Sequence, residues 1–282
     1  MSIATIIGAI IGIAIVNGKG GSGKTPTAVQ LAFALARMGY KVLFADLDQQ
    51  GTASFHFLGF KYKRQQPTIY NALKDLARIE PLVIMPNLHL LPAHDELQNL
   101  EIELPSRKGT FWQGRFSDVL NLYPEYDFVI ADTPGSSVSI FPTMALTSAD
   151  IAIVPTKTEI VHVVGTQDTL NLIEDVKGMP NQQNSLNRDL QVWGILPNQF
   201  EMNVGSHNDA MTMLEQLYGK KGIYIYPEPS RKTTLYNEAS EQHIDIRDTD
   251  PRQGPRLGTY WDTIARDIVG RSVAIVKARK PA

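Results

Sequence analysis

Short apolar runs recur along the chain, and segments of helical periodicity separate them. Residues 11–16 read Ile-Gly-Ile-Ala-Ile-Val, a β-branched run that suits a buried strand. Residues 27–38 place Val29, Leu31, Ala32, Leu35 and Ala36 at helical spacing, and Gly39 follows as a stop. Residues 41–46 make a second strand. Strand, helix, strand at this size is a βαβ unit, which predicts parallel strands. Further strands are predicted at 88–93, 126–132, 149–156, 190–196 and 222–226, and helices at 69–78, 115–122, 165–176, 210–218 and 260–276. The last helix puts Trp261, Ile264, Ile268, Val269 and Val273 on one side. Gly178 to Asn187 is rich in Gly, Pro, Asn, Gln and Ser and reads as a loop. Phe55, Phe57, Leu58 and Phe60 read as core packing, with Lys61, Lys63 and Arg64 as a solvated basic edge. The expected fold is α/β, a mostly parallel twisted sheet with helices on both faces.

Chemistry concentrates where the first strand meets the first helix. Residues 17–25 read Asn-Gly-Lys-Gly-Gly-Ser-Gly-Lys-Thr, and strand, loop, helix is the context a phosphate-binding P-loop requires. Gly20, Gly21 and Gly23 permit backbone torsions that aim successive N–H groups at phosphate oxygens. Ser22 is small enough for its slot. The helix behind points its positive dipole end at the same anion. Lys24 adds a full charge at the outer phosphates, and the Thr25 hydroxyl is placed to hold Mg²⁺.

Two more strand ends carry carboxylates. Asp46-Leu47-Asp48-Gln49-Gln50-Gly51 follows the second strand, at the end where open α/β sheets bind ligands. Asp46 and Asp48 there suit metal and water chemistry, or simply a polar turn. Residues 126–135 run Tyr-Asp-Phe-Val-Ile-Ala-Asp-Thr-Pro-Gly, an apolar strand ending in aspartate as a Walker B segment does. Asp132 would bind Mg²⁺ through a water and Thr25. Gly135 would allow close approach to the γ-phosphate and make its loop a switch. His89 and His94 have no partners at metal-ligand spacing and read as structural.

Composition narrows the classes. The chain has 282 residues, 43% of them hydrophobic, and no cysteine. It can bury a core, and disulfide or thiolate chemistry is excluded. A formal charge of -2 argues against an overall nucleic-acid-binding field, though a local basic patch can still be placed. Residues 3–16 are apolar but too short to span a bilayer and lack a charged start. Residues 1–10 are therefore expected to be an added arm or an upstream start, and 11–282 a single domain in the cytoplasm.

With Lys19 ahead of the glycines, Lys-Gly-Gly-Ser-Gly-Lys-Thr resembles the deviant-P-loop ATPases of the ParA/MinD family. The resemblance implies that Lys19 reaches across an ATP-bridged homodimer to the partner's nucleotide. It implies that Asp46 helps organise Mg²⁺, as the family's Asp-x-Asp-x-Gln-Gly matches here, and that Asp48 positions the attacking water or couples hydrolysis to the dimer. Asn198 stands where relatives read adenine, and also where a strand turns. Backbone of the loop holding Pro227 and Pro229 would close over the base. The Glu238-Ala239 pair also resembles ParA relatives. The chain departs from the family at Pro26, where relatives usually carry a threonine that contacts the α-phosphate. Proline suits a first helical turn, and nucleotide binding is expected to survive through the other loop amides. Lacking cysteine, the chain is set apart from cluster-carrying relatives such as the nitrogenase iron protein.

The resemblance implies a ParA-type positioning ATPase using ATP and Mg²⁺. It would bind non-specific DNA on the nucleoid and move a plasmid, chromosome or carboxysome through a ParB-like or analogous adaptor that stimulates hydrolysis. Candidate DNA cations are Arg231, Lys232, Arg252, Arg256, Lys277 and Arg279, each of which singly reads as a solvated charge. A MinD-like membrane ATPase would need the short apolar and basic run at 272–282 to form an amphipathic helix. A ligase or synthetase on the same fold would not need Lys19.

Overall fold

The computed structural model describes residues 10–64, 67–136, 138–178 and 185–279. The proposed apolar arm, apart from Ile10, lies outside them, as does the side chain of Arg279. Seven strands form one sheet: β1 (Ile11–Ile15), β2 (Val42–Asp46), β3 (Leu82–Met85), β4 (Leu88–Leu91), β5 (Phe128–Asp132), β6 (Ile151–Lys157) and β7 (Gln191–Asn198), in the order β3-β4-β2-β5-β1-β6-β7. Every pairing is parallel except β3 with β4. The first βαβ unit is parallel as expected, but β5 inserts between its two strands.

Residues of period two send the strands' side chains to opposite faces. Ile11, Ile13 and Ile15 pack with α1 (Lys24–Arg37), Phe57 of α2 (Thr52–Leu58), and the last two helices, α9 (Leu235–Gln242) and α10 (Gly254–Arg279). Ala14 and Val16 face the other layer. That layer contains α3 (Ile69–Asp75), α4 (Leu97–Ser106), α5 (Arg115–Leu120), α6 (Ile140–Ser148), α7 (Ile160–Lys177) and α8 (Gly205–Leu217). Both faces are covered, which is why β1, β2 and β5 are apolar almost throughout. An ion-pair network fixes α1 to α10: Arg37 donates to Asp245 and, at 2.6 Å, to Asp262, which also accepts from Arg247.

The expected strand at 222–226 is not a ladder strand. Only Ile225 bridges, to Ile195, through the bonds Ile195 N to Tyr224 O and Tyr226 N to Ile195 O. Pro227 has no N–H to continue the pairing. The helix expected from residue 165 begins at Ile160, and the one expected from 260 begins at Gly254. Pro255 hid the latter start, although proline is at home in a first turn. Phe60 is 77% exposed and edges against Phe55, so it is not core. No helix among the described residues is long and apolar enough to cross a membrane.

Candidate functional site

The C-terminal ends of β1, β2, β5, β6 and β7 converge on the 17–25 loop. Gly23 is the N-cap of α1 with φ 89°, and Gly21 has φ 73°. These are left-handed conformations that a side chain would strain. Hydrogen bonds to three other segments hold the loop. Buried Asn17 donates to Pro155 O at 2.8 Å and accepts from Lys19 N at 2.9 Å. Gly18 N donates to Thr169 Oγ1 of α7 at 3.0 Å. At the end of β7, Asn198 Nδ2 donates to Ser22 O at 3.2 Å, and Gln199 Nε2 to Gly21 O at 3.1 Å.

Lys24 is buried, and its Nζ donates to Lys19 O at 3.3 Å. Burial pushes its pKa down, while Asp132 and Asp48 pull it back. Gly135 presses against this group: a β-carbon there would lie 2.9 Å from Lys24 Nζ and 3.1 Å from Gly20 Cα. The loop after β5 therefore needs glycine to approach the P-loop.

Asp46 and Asp132 are both fully buried, but their partners differ. Asp46 accepts from Ser54 N at 2.8 Å, Ser54 Oγ at 2.7 Å and Asp48 N at 3.2 Å. Burial still raises it to about 7, with the Asp48 charge adding to the rise. Neither oxygen of Asp132 has a hydrogen-bond partner. Burial, then the Asp46 charge, lifts Asp132 well above the carboxylate range. An orphaned buried carboxylate beside a threonine hydroxyl fits a hard cation. Among the described residues no cluster of three or more His, Cys, Asp or Glu could hold a metal by itself. A single carboxylate beside a hydroxyl suits Mg²⁺, which binds through one or two carboxylates plus phosphates and keeps waters. Asp48 is half-buried at the mouth, with its Oδ1 accepting from Gln50 N at 2.9 Å.

A cleft of about 440 Å³ opens beside the loop, lined by Gly23, Pro26, Thr27, Asn198, Ser230, Thr234, Tyr236, Asn237 and Trp261. Here the structure departs from expectation. Pro227 and Pro229 do not line this cleft but the adjoining groove of about 710 Å³, with Phe200, Arg231, Lys232, Arg256 and Tyr260. Residues 230–234 line the cleft beside the loop. Trp261 and Tyr236 escaped the sequence reading because helical spacing marks Trp261 only as core; its Nε1 in fact donates to Tyr236 Oη at 3.2 Å.

The five described cations do not form one patch. Arg231, Lys232 and Arg256 share the groove, and Arg252 is exposed just before α10. Lys232 is paired with Glu201 at 2.9 Å. Lys277 stands about 30 Å from Arg256 along α10, at 1.5 Å per residue.

The fold and loop define a P-loop nucleoside triphosphatase. The chain belongs to the ParA family of partition ATPases: a family model described as an AAA domain matches residues 10–192, and Chromosome partitioning protein ParA of Myxococcus xanthus is 34% identical over 218 residues, 75% of this chain and 72% of that one. Among solved structures, cobyrinic acid a,c-diamide synthase of Mycobacterium smegmatis with bound ATP analog and magnesium has a TM-score of 0.69 at 26% identity, over 83% of this chain and 91% of that one. A Cyanothece McdA variant in complex with ATP shares the fold, with a TM-score of 0.73 at 23% identity over 93% and 96%.

Proposed function

We propose that this chain is a partition-type ATPase that binds ATP with Mg²⁺ and, so loaded, pairs face to face with a second copy. The observation that carries the reading is the setting of Lys19. This exposed lysine stands on the P-loop beside α7, whose Val161 and Val164 are 73% and 54% exposed, and Val138 on the loop after β5 is 90% exposed. Apolar side chains left in water around a phosphate site suit a protein partner. A second copy would cover them and bring Lys19 to its phosphates.

The loop amides and Lys24 would hold the phosphates, and Thr25 and Asp132 the Mg²⁺, with Asp46 fixed behind them. The metal would neutralise charge on the phosphates. Asp48, at the mouth, would orient the attacking water. Asn198, with residues 230–234, would bound the base. The groove with Arg231 and Arg256 would take a DNA backbone without sequence preference, and an adaptor on the cargo would stimulate hydrolysis on the nucleoid.

Sedimentation with ATP, with ADP and without nucleotide tests the pairing. ATP is expected to give a dimer that Lys19→Ala abolishes. DNA binding is expected only with ATP and to fall steeply with salt; absent or salt-insensitive binding would remove the DNA role. The likeness to the diamide synthase favours a second reading, an ATP-dependent synthetase, which gains if Lys19→Ala leaves turnover and dimerisation intact. The membrane reading lacks a face to support it, because Ile275 and Val276 at the end of α10 are buried in the core.

A further inference from the structure

Gly165 lies in the middle of α7, where no turn or cap calls for glycine. A β-carbon placed on it would stand 2.2 Å from Lys19 Cε, 3.0 Å from Cγ and 3.1 Å from Cδ. Three successive methylenes of Lys19 therefore fill the notch that the missing side chain leaves. Glycine inside a helix costs about 1 kcal/mol relative to alanine, so the notch is kept at a cost to the helix. The backbone leading into Lys19 is pinned. Lys19 N donates to Asn17 Oδ1 at 2.9 Å, and Gly18 N donates to Thr169, one turn beyond Gly165. Lys19 can change its reach only by lifting its side chain off the helix.

We propose that Gly165 is a positioning residue for Lys19: it berths the lysine stem along α7 in the free protomer, and the lysine must leave that berth to reach a second copy's phosphates. The inference rests on the dimer reading above. The methylene stem loses packing when it lifts, as long charged side chains do when they leave an apolar surface. A partner without nucleotide offers nothing to offset that loss, whereas a partner's phosphates do. The berth thus makes pairing depend on the ligand of the opposite protomer, because only a ligand that favours the extended lysine shifts the balance. Val161 shares the Gly165 face of the helix at a spacing of four, and exposed Val164 neighbours Val161 at a spacing of three, so the berth lies beside the apolar surface that a partner would cover.

Two measurements test this separately. In nucleotide-free wild-type protein, an NMR cross-relaxation signal is expected between Lys19 Hε and Gly165 Hα, and its absence would overturn the berth whether or not the protein dimerises. Gly165→Ala is expected to abolish that signal, leave monomer ATP affinity unchanged and tighten the ATP-bound dimer about fivefold, corresponding to roughly 1 kcal/mol. In a Lys19→Ala background, where the ATP dimer is lost, Gly165→Ala is expected neither to restore the dimer nor to change ATP affinity. A dimer restored by Gly165→Ala in the Lys19→Ala background, or a weaker dimer in the wild-type background, would overturn the proposal. If wild-type protein stays monomeric with ATP while the signal is present, the dimer reading fails and the berth stands.

Discussion

Asp46 and Asp132 are register partners at the ends of neighbouring parallel strands, so two fully buried carboxylates stand side by side. The raised pKa of each follows from burial and like charge. Without a bound cation Asp46 holds a proton that the unfolded chain releases, so its contribution to stability falls as pH rises from about 4 to about 7, and Asp132 acts in the same direction.

Adding Mg²⁺ with a non-hydrolysable ATP analogue is therefore expected to raise the melting midpoint more than the analogue with EDTA does. At a hundredfold excess over Kd the binding contribution is about 2.7 kcal/mol. Asp132→Asn is expected to lose the Mg²⁺-dependent part while keeping its fold without ligand. An undiminished Mg²⁺ effect in that variant would place the metal elsewhere.

Asn198 supports the P-loop directly. Its Nδ2 donates to Ser22 O, and a β-carbon on Gly23 would lie 2.6 Å from the same atom. Asn198→Ala is expected to weaken ATP and GTP alike by roughly tenfold, the worth of one net hydrogen bond of about 1 kcal/mol plus a loosened loop. Calorimetric titration with both nucleotides decides. A loss confined to ATP would instead assign the amide to adenine.

His56 couples the region after Asp48 to α9. Its Nε2 donates to Ile244 O at 2.9 Å, and the ring is buried. Burial, assisted by the charge of His243, lowers its pKa to about 4. Between pH 6.5 and about 4 the unfolded chain binds a proton that the folded chain refuses, so stability falls with acidification, by up to ~3 kcal/mol. Asp46 acts in the opposite direction, so the comparison is with His56→Gln. Urea midpoints between pH 7.5 and 5 are expected to fall less in that variant, and parallel curves would show that His56 is not the group responsible.

The phosphate and metal elements were legible because each is local. Residues 17–25 fix strand, loop and helix within one contiguous stretch, and Asp46 and Asp132 each end an apolar run. What sequence hid depends on distant partners. Gly165 looks like an ordinary helical residue until Lys19 lies on it. Ile160 and Val161 precede the expected helix because their exposed apolar side chains do not follow its buried stripe. Pro227 and Pro229 line the adjoining groove, which the sequence did not separate from the cleft, since spacing along a loop does not tell which wall it lines. The DNA candidates divided because α10 is longer than its apolar pattern, carrying Lys277 far from Arg256.

The loop leaving β5 is tied at both ends. Thr133 Oγ1 donates to Ile15 O at 2.8 Å. At the far end, Glu101 of α4 accepts from Ser139 Oγ at 2.7 Å and Ile140 N at 2.9 Å. A shift of the loop at Gly135 would be felt at Glu101, because the segment entering α6 hangs on that carboxylate. The face of α4 thereby acquires a mechanical link to chemistry it never touches.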